Sequence, residues 1–161
     1  MGKSQLKHGV ASMEKEDFEY EHDQFRGELG KLAYAYKRIK ERLLQNFEHW
    51  QELGTSFFNN QVSFEIGVDG ESLQGIVAGK KFAISFTPVA LENDNYALAV
   101  VTVVDLVSKL PSEIDRFLIS INGDVLSMEK VELLSSEDEA QSFKLLIAVV
   151  RRVIRAIPAQ V

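Results

Sequence analysis

The stretch FEYEHDQFRGELGKLAYAYKRIKERLLQNFEHWQEL, residues 18–53, carries one spacing from end to end. The positions Phe18, His22, Phe25, Leu29, Leu32, Tyr36, Ile39, Leu43, Asn46, Trp50 and Leu53 follow each other by four, three, four, three. An α-helix turns every 3.6 residues, so this spacing keeps one stripe on one face. It predicts a long amphipathic helix from about Met13 to about Leu53, with Gly54 as its stop. Acidic residues crowd the start (Glu14, Glu16, Asp17, Glu19, Glu21, Asp23) and basic ones follow from Lys31 to Arg42, an order that suits the helix dipole near its ends. Gly27 and Gly30 interrupt the helix, each at a cost of about 1 kcal/mol relative to alanine. They mark either a kink or a place where another backbone comes close.

After the helix the period changes to two. Val62, Phe64, Ile66 and Val68 alternate with polar residues, and Asp69-Gly70 is a hairpin signal. Leu73 to Ala78 should return antiparallel, and Phe82, Ile84 and Phe86 form the next strand, with regular pairing ending at Pro88. Glu92 to Asn95 reads as a polar loop. Tyr96 to Val107 is apolar on both faces, which predicts a central strand covered on both sides. Leu110 to Glu113 reads as a connection. Phe117 to Ile121 and Val125 to Leu133 then flank a second hairpin signal, Asn122-Gly123.

The last element is a helix. Ser136 and Glu139 have capping-box spacing, and Pro158 is its predicted end. Ala140, Phe143, Ile147, Val150, Ile154 and Ile157 mark one face. Leu145, Leu146, Ala148, Val149 and Val153 widen the arc enough to require deep burial. The expected fold is therefore α+β: a long N-terminal helix with a kink at Gly27–Gly30 as one option, an antiparallel meander of about six strands, and a C-terminal helix packed on the sheet. Residues 1–12 are polar and aperiodic and are expected to fray, leaving 13–161 as one domain.

Composition narrows the function classes. With 18 basic against 24 acidic residues the net charge is -6, so nucleic acid is not an expected partner. No stretch approaches the roughly 20 apolar residues of a membrane helix, so no membrane partner is expected either. The absence of cysteine excludes disulfides and thiolate chemistry. Together with a start that does not read as a signal peptide, it points to a cytoplasmic location. Gly75 to Lys81 is not a phosphate loop, because only three residues separate Gly75 from Gly79 and Lys81 stands where Ser or Thr is needed. His22 and His49 are 27 residues apart, about 40 Å on a straight helix at 1.5 Å per residue, and cannot share a site there. No residue earns a catalytic role, and no cofactor or metal is implied.

The stripe thus becomes the candidate site. A straight helix of about 40 residues is about 60 Å long, against a domain diameter of about 40 Å. Its stripe must bury on its own sheet after a bend, or on another chain. The leading expectation is a non-enzymatic, acidic adaptor- or inhibitor-type domain that binds protein through Phe18 to Trp50, a second copy included. His22 and Asn46 would be polar seam positions that fix register. In size, acidity and element order the chain resembles small bacterial secretion chaperones and immunity or inhibitor proteins, a likeness of composition. The alternative expectation is an apolar small-molecule site between sheet and helix, lined by Phe64, Phe82, Phe86, Phe117 and Tyr96.

Overall fold

A computed structural model describes residues 12–157, so the predicted end at Pro158 and, Ser12 excepted, the segment expected to fray lie outside the described residues. The element order is α1 (His22–Ser56), β1 (Val62–Ile66), β2 (Ser72–Val77), β3 (Lys80–Leu91), β4 (Asp94–Val104), β5 (Pro111–Ser120), β6 (Val125–Leu126), β7 (Glu132–Leu134) and α2 (Gln141–Arg155). All seven strands form one antiparallel sheet in sequence order, β1 to β7. The fold is α+β with a meander, as the change of period predicts, with seven strands in place of about six. The extra strand comes from the expected Val125–Leu133 segment. A turn at Ser127–Val131, with Lys130 in the left-handed region, splits it into β6 and β7.

The chain divides between Gly30 and Lys31 into two units. In the first, every described residue is exposed. A 3-10 turn spans Lys15–Phe18, and α1 starts only at His22, nine residues after the predicted start. The carboxylate of Glu21 accepts the backbone N–H groups of Asp23 (3.1 Å) and Gln24 (2.7 Å), satisfying donors that a helix start leaves open. Phe18 therefore stands on the 3-10 turn and not on the helix. α1 runs through Gly27 and Gly30 as one element, and an added Cβ at either would meet nothing within 4 Å. Among the described residues no other backbone approaches there.

In the second unit the core lies between the helices and one face of the sheet. That face presents Leu73, Phe82, Ile84, Phe86, Val101 and Val103, and α1 and α2 cover it with Ile39, Leu43, Phe47, Trp50, Leu146 and Val153. β4 departs from its predicted two-sided burial. Ala97, Ala99, Val101 and Val103 are buried, whereas Leu98 and Val100 on the other face are only half-buried. β3 continues past Pro88 to Leu91. The Phe86 N–H reaches back to Glu71, and Pro88, two residues on, faces the same side beyond the end of β2, where no ladder bond is lost. The predicted loop at Glu92–Asn95 shrinks to a turn at Glu92–Asn93, and β5 starts at Pro111, inside the predicted connection.

α2 begins at Gln141 without the predicted capping box. Asp138 instead accepts the Ala140 N–H at 2.9 Å. Its buried residues are Leu145, Leu146, Val149 and Val153, while Ile154 is 54% exposed. The set read as widening the arc is thus its centre.

Two glycines are fixed by neighbours. Gly75 on β2 lies between Phe64 and Phe82 in the ladder, and its missing side chain lets those rings meet edge to face at 6.1 Å. Gly54, the predicted stop, lies inside α1 and is buried, because the Val62 carbonyl occupies the space a Cβ would need. Gly54→Ala should lower stability by about 1–3 kcal/mol through overpacking. Gly27→Ala, into open space, should instead strengthen its turn by about 1 kcal/mol or less. Urea denaturation reads the first effect, and amide hydrogen exchange across residues 24–31 reads the second.

Candidate interaction surface

The stripe is divided along its length. Phe18, His22, Phe25 and Leu29 are exposed, Phe25 by 57% and Leu29 by 54%. Leu32, Tyr36 and Asn46 are half-buried, and Ile39, Leu43 and Trp50 are buried in the core of the second unit. From Ile39 onward the stripe packs on its own sheet.

Polar clips fix α1 at defined points. The Tyr36 hydroxyl donates to Glu71 Oε2 at 2.5 Å and lies 3.3 Å from the Phe86 carbonyl. Burial, and then the hydrogen bond to Glu71, push this phenol well above the ordinary tyrosine range, so it stays a donor. Lys40 Nζ donates to the Asp69 carbonyl in the β1–β2 turn. Near the other end, Trp50 Nε1 donates to the Ser142 carbonyl (2.9 Å) and Oγ (3.1 Å), which ties α1 to the first turn of α2. Ser142 Oγ also lies 3.0 Å from His49 Nδ1. This serine–histidine contact spans 93 residues, and no local spacing announces it.

Asp124 anchors the segment before α2. It accepts the Ser136 N–H at 2.7 Å, and Gln141 Nε2 donates to the neighbouring Gly123 carbonyl. The backbone bond from Ser136 holds the Asp124 carboxyl below the ordinary aspartate range, with smaller help from the Ser136 and Ser120 side chains and from Arg42.

An apolar groove of about 600 Å³ runs between α2 and strands β5 to β7. Val101, Phe117, Val125, Leu133, Leu145 and Val149 are among its lining residues. The cations on its rim are already engaged, Arg152 with Asp115 (3.3 Å), Lys144 with Asp138 (2.7 Å) and Arg116 with Glu113 (2.5 Å). Of the five aromatics expected to line a cavity, Phe117 reaches this groove, and Phe64 and Phe82 line a second one of about 570 Å³ over strands β1 to β4. Phe64, Phe82 and Phe86 pack in the aromatic core, and Tyr96 lies under Lys130. Among the described residues no group of three or more potential metal ligands converges. No protein family model, curated protein or solved structure matches the chain.

Two outcomes follow from the clips. Tyr36→Phe should destabilise the fold by about 1.5–3 kcal/mol, the usual range for a hydrogen bond to a charged group. Combining it with Glu71→Gln should cost less than the sum of the single changes in a double-mutant cycle. Asp124 has a depressed folded pKa, so its stabilisation is complete above its unfolded value of about 4 and fades as the pH falls through the folded one. The stability gap between wild type and Asp124→Asn, read by urea denaturation, should therefore be full at about pH 6 and shrink below about pH 4.

Proposed function

We propose that this chain is a non-enzymatic protein-binding domain that associates through the start of α1, and that its partner there is a second copy of itself. The observation that carries the reading is the continuity of the stripe. The spacing that buries Ile39, Leu43 and Trp50 runs back unchanged through Leu29, Phe25 and His22, where the apolar side chains stand in solvent. Folding of the chain leaves Phe25 and Leu29 more than half exposed, and a second helix with the same repeat would cover them.

Charge selects the arrangement. In a parallel pair the stripe residues meet their own counterparts, and Glu21 comes alongside Arg26 of the other copy at the flanking positions. In an antiparallel pair matching Phe25 with Leu29, Arg26 faces Arg26 and Glu28 faces Glu28. The parallel pair is favoured, with His22 meeting His22 as a polar seam position that sets register. Full burial of a Phe or Leu side chain contributes about 1.5–3 kcal/mol. Phe25 and Leu29 are already nearly half covered, at 57% and 54% exposure, so on two copies they supply about 3–7 kcal/mol against an association cost of about 4–15 kcal/mol, which makes the dimer a weak one.

Sedimentation equilibrium up to several hundred micromolar should show a reversible dimer. Phe25→Glu with Leu29→Glu should be monomeric throughout, with an unchanged unfolding curve because both residues are exposed. A wild-type chain that stays monomeric over that range would sink the proposal.

A further inference from the structure

One end of the sheet gathers exposed apolar side chains among cations. β3 begins there, β4 ends and β5 begins. Lys80 Nζ donates to the Ala156 carbonyl at 2.5 Å, which brings the C-terminal turn of α2 to the same end. The β4–β5 loop carries Leu106, Val107 and Leu110, exposed by 77%, 92% and 63%. Ile157, beyond α2, is 86% exposed.

The loop is rigid. Asp105 Oδ1 accepts the N–H groups of Val107 (2.7 Å) and Ser108 (2.8 Å), and the Asp105 N–H donates to the Leu110 carbonyl at 2.9 Å. Three large apolar side chains are therefore held outward by a hydrogen-bonded hairpin tip, at positions the core does not use. Lys109 lies in the loop itself, Lys80 and Lys81 open β3 beside the end of β4, and Arg155 closes α2, whose C-terminal turn Lys80 holds at this end. Of the nearby carboxylates, Glu113 pairs with Arg116 and Asp115 with Arg152, while Asp105, bound by the loop's own N–H groups, stays charged and offsets one cation. Lys81, Lys109 and Arg155 make no ion pair among the described residues. A chain of net charge -6 thus presents a locally positive end.

We propose that this end docks on an anionic lipid surface, with Leu106, Val107 and Leu110 entering the interface and the cations lying over the headgroups. Among the described residues no helix is long and apolar enough to cross a membrane, so the contact is peripheral and made by a loop. A protruding apolar tip favours lipid over an acidic protein, because a fluid interface closes around a tip whereas a protein must supply a matching pocket. The absence of a long apolar stretch, which argued against a membrane partner, bears on spanning segments and not on a loop, and the whole-chain charge averages this end away. Attraction to anionic headgroups acts locally, within a Debye length of about 10 Å at 0.1 M salt.

The test is co-sedimentation of the full chain with phosphatidylcholine vesicles, with and without phosphatidylserine. The expected result is binding to the phosphatidylserine vesicles alone, weakened by salt. Leu106→Asp with Val107→Asp should abolish it. Lys81→Gln and Lys109→Gln should each lower partitioning about fivefold, since a cation near such a surface is worth about that factor. Phe25→Glu with Leu29→Glu should leave it unchanged, which separates this proposal from the dimer. Absence of wild-type binding at low salt, equal binding to both vesicle types, or full binding by the Leu106/Val107 variant would overturn it. Binding to polyglutamate but not to vesicles would also overturn it, and would assign the end to an acidic protein.

Discussion

A chain of six aromatic rings holds α1 on the sheet. Tyr36 meets Phe86, Phe86 meets Phe47, Phe47 meets Trp50, Trp50 meets Phe64 and Phe64 meets Phe82, with centroids 5.2 to 6.4 Å apart. Such pairs add about 0.5–1.5 kcal/mol each beyond the area they bury. The series joins α1 to β1 and β3, and Trp50 extends it to α2 through its indole N–H. The last link depends on Gly75, since a side chain there would separate Phe64 from Phe82. The core needs few polar contacts beyond these. Among the described residues no polar or charged side chain is fully buried, so apolar packing carries the fold and the Tyr36–Glu71 and Trp50–Ser142 bonds fix its register at the half-buried margin.

What could be read from the residues was periodicity. The four-three spacing found α1, and the alternation at Val62–Ile66 and Phe82–Phe86 found strands with the right face inward. What could not be read was contact between distant residues. Gly54 has the local signature of a helix stop, yet the Val62 carbonyl makes it a residue of the helix interior. Pro88 has the signature of a strand end, yet it falls beyond β2, where its missing N–H costs nothing. In α2 two apolar arcs overlap, and only the placement of Leu146 and Val153 against the sheet tells which one is central. For the candidate site, the stripe residues were legible and the point at which their burial begins was not. That point depends on where the sheet ends, which the spacing of a helix does not encode.

The stripe therefore has two physical roles along one repeat. Ile39, Leu43 and Trp50 are core, and substitution there would test the fold rather than any interface. From Phe18 to Leu29 the same residue types are exposed, and substitution there tests association with the fold intact. A reading that treated Phe18 to Trp50 as a single interaction surface would merge these roles.

The distribution of charge supports assigning separate partners to separate surfaces. Residues 13–23 hold six carboxylates and one lysine, beside the exposed half of the stripe. The end marked by Lys81, Lys109 and Arg155 is positive and carries the Leu106–Leu110 tip. An acidic segment is repelled by an anionic membrane, and the basic end is drawn to it. If both surfaces are used, the same electrostatics that brings the Leu106–Leu110 tip to the lipid disfavours contact between the bilayer and residues 13–23, leaving Phe25 and Leu29 to a protein partner.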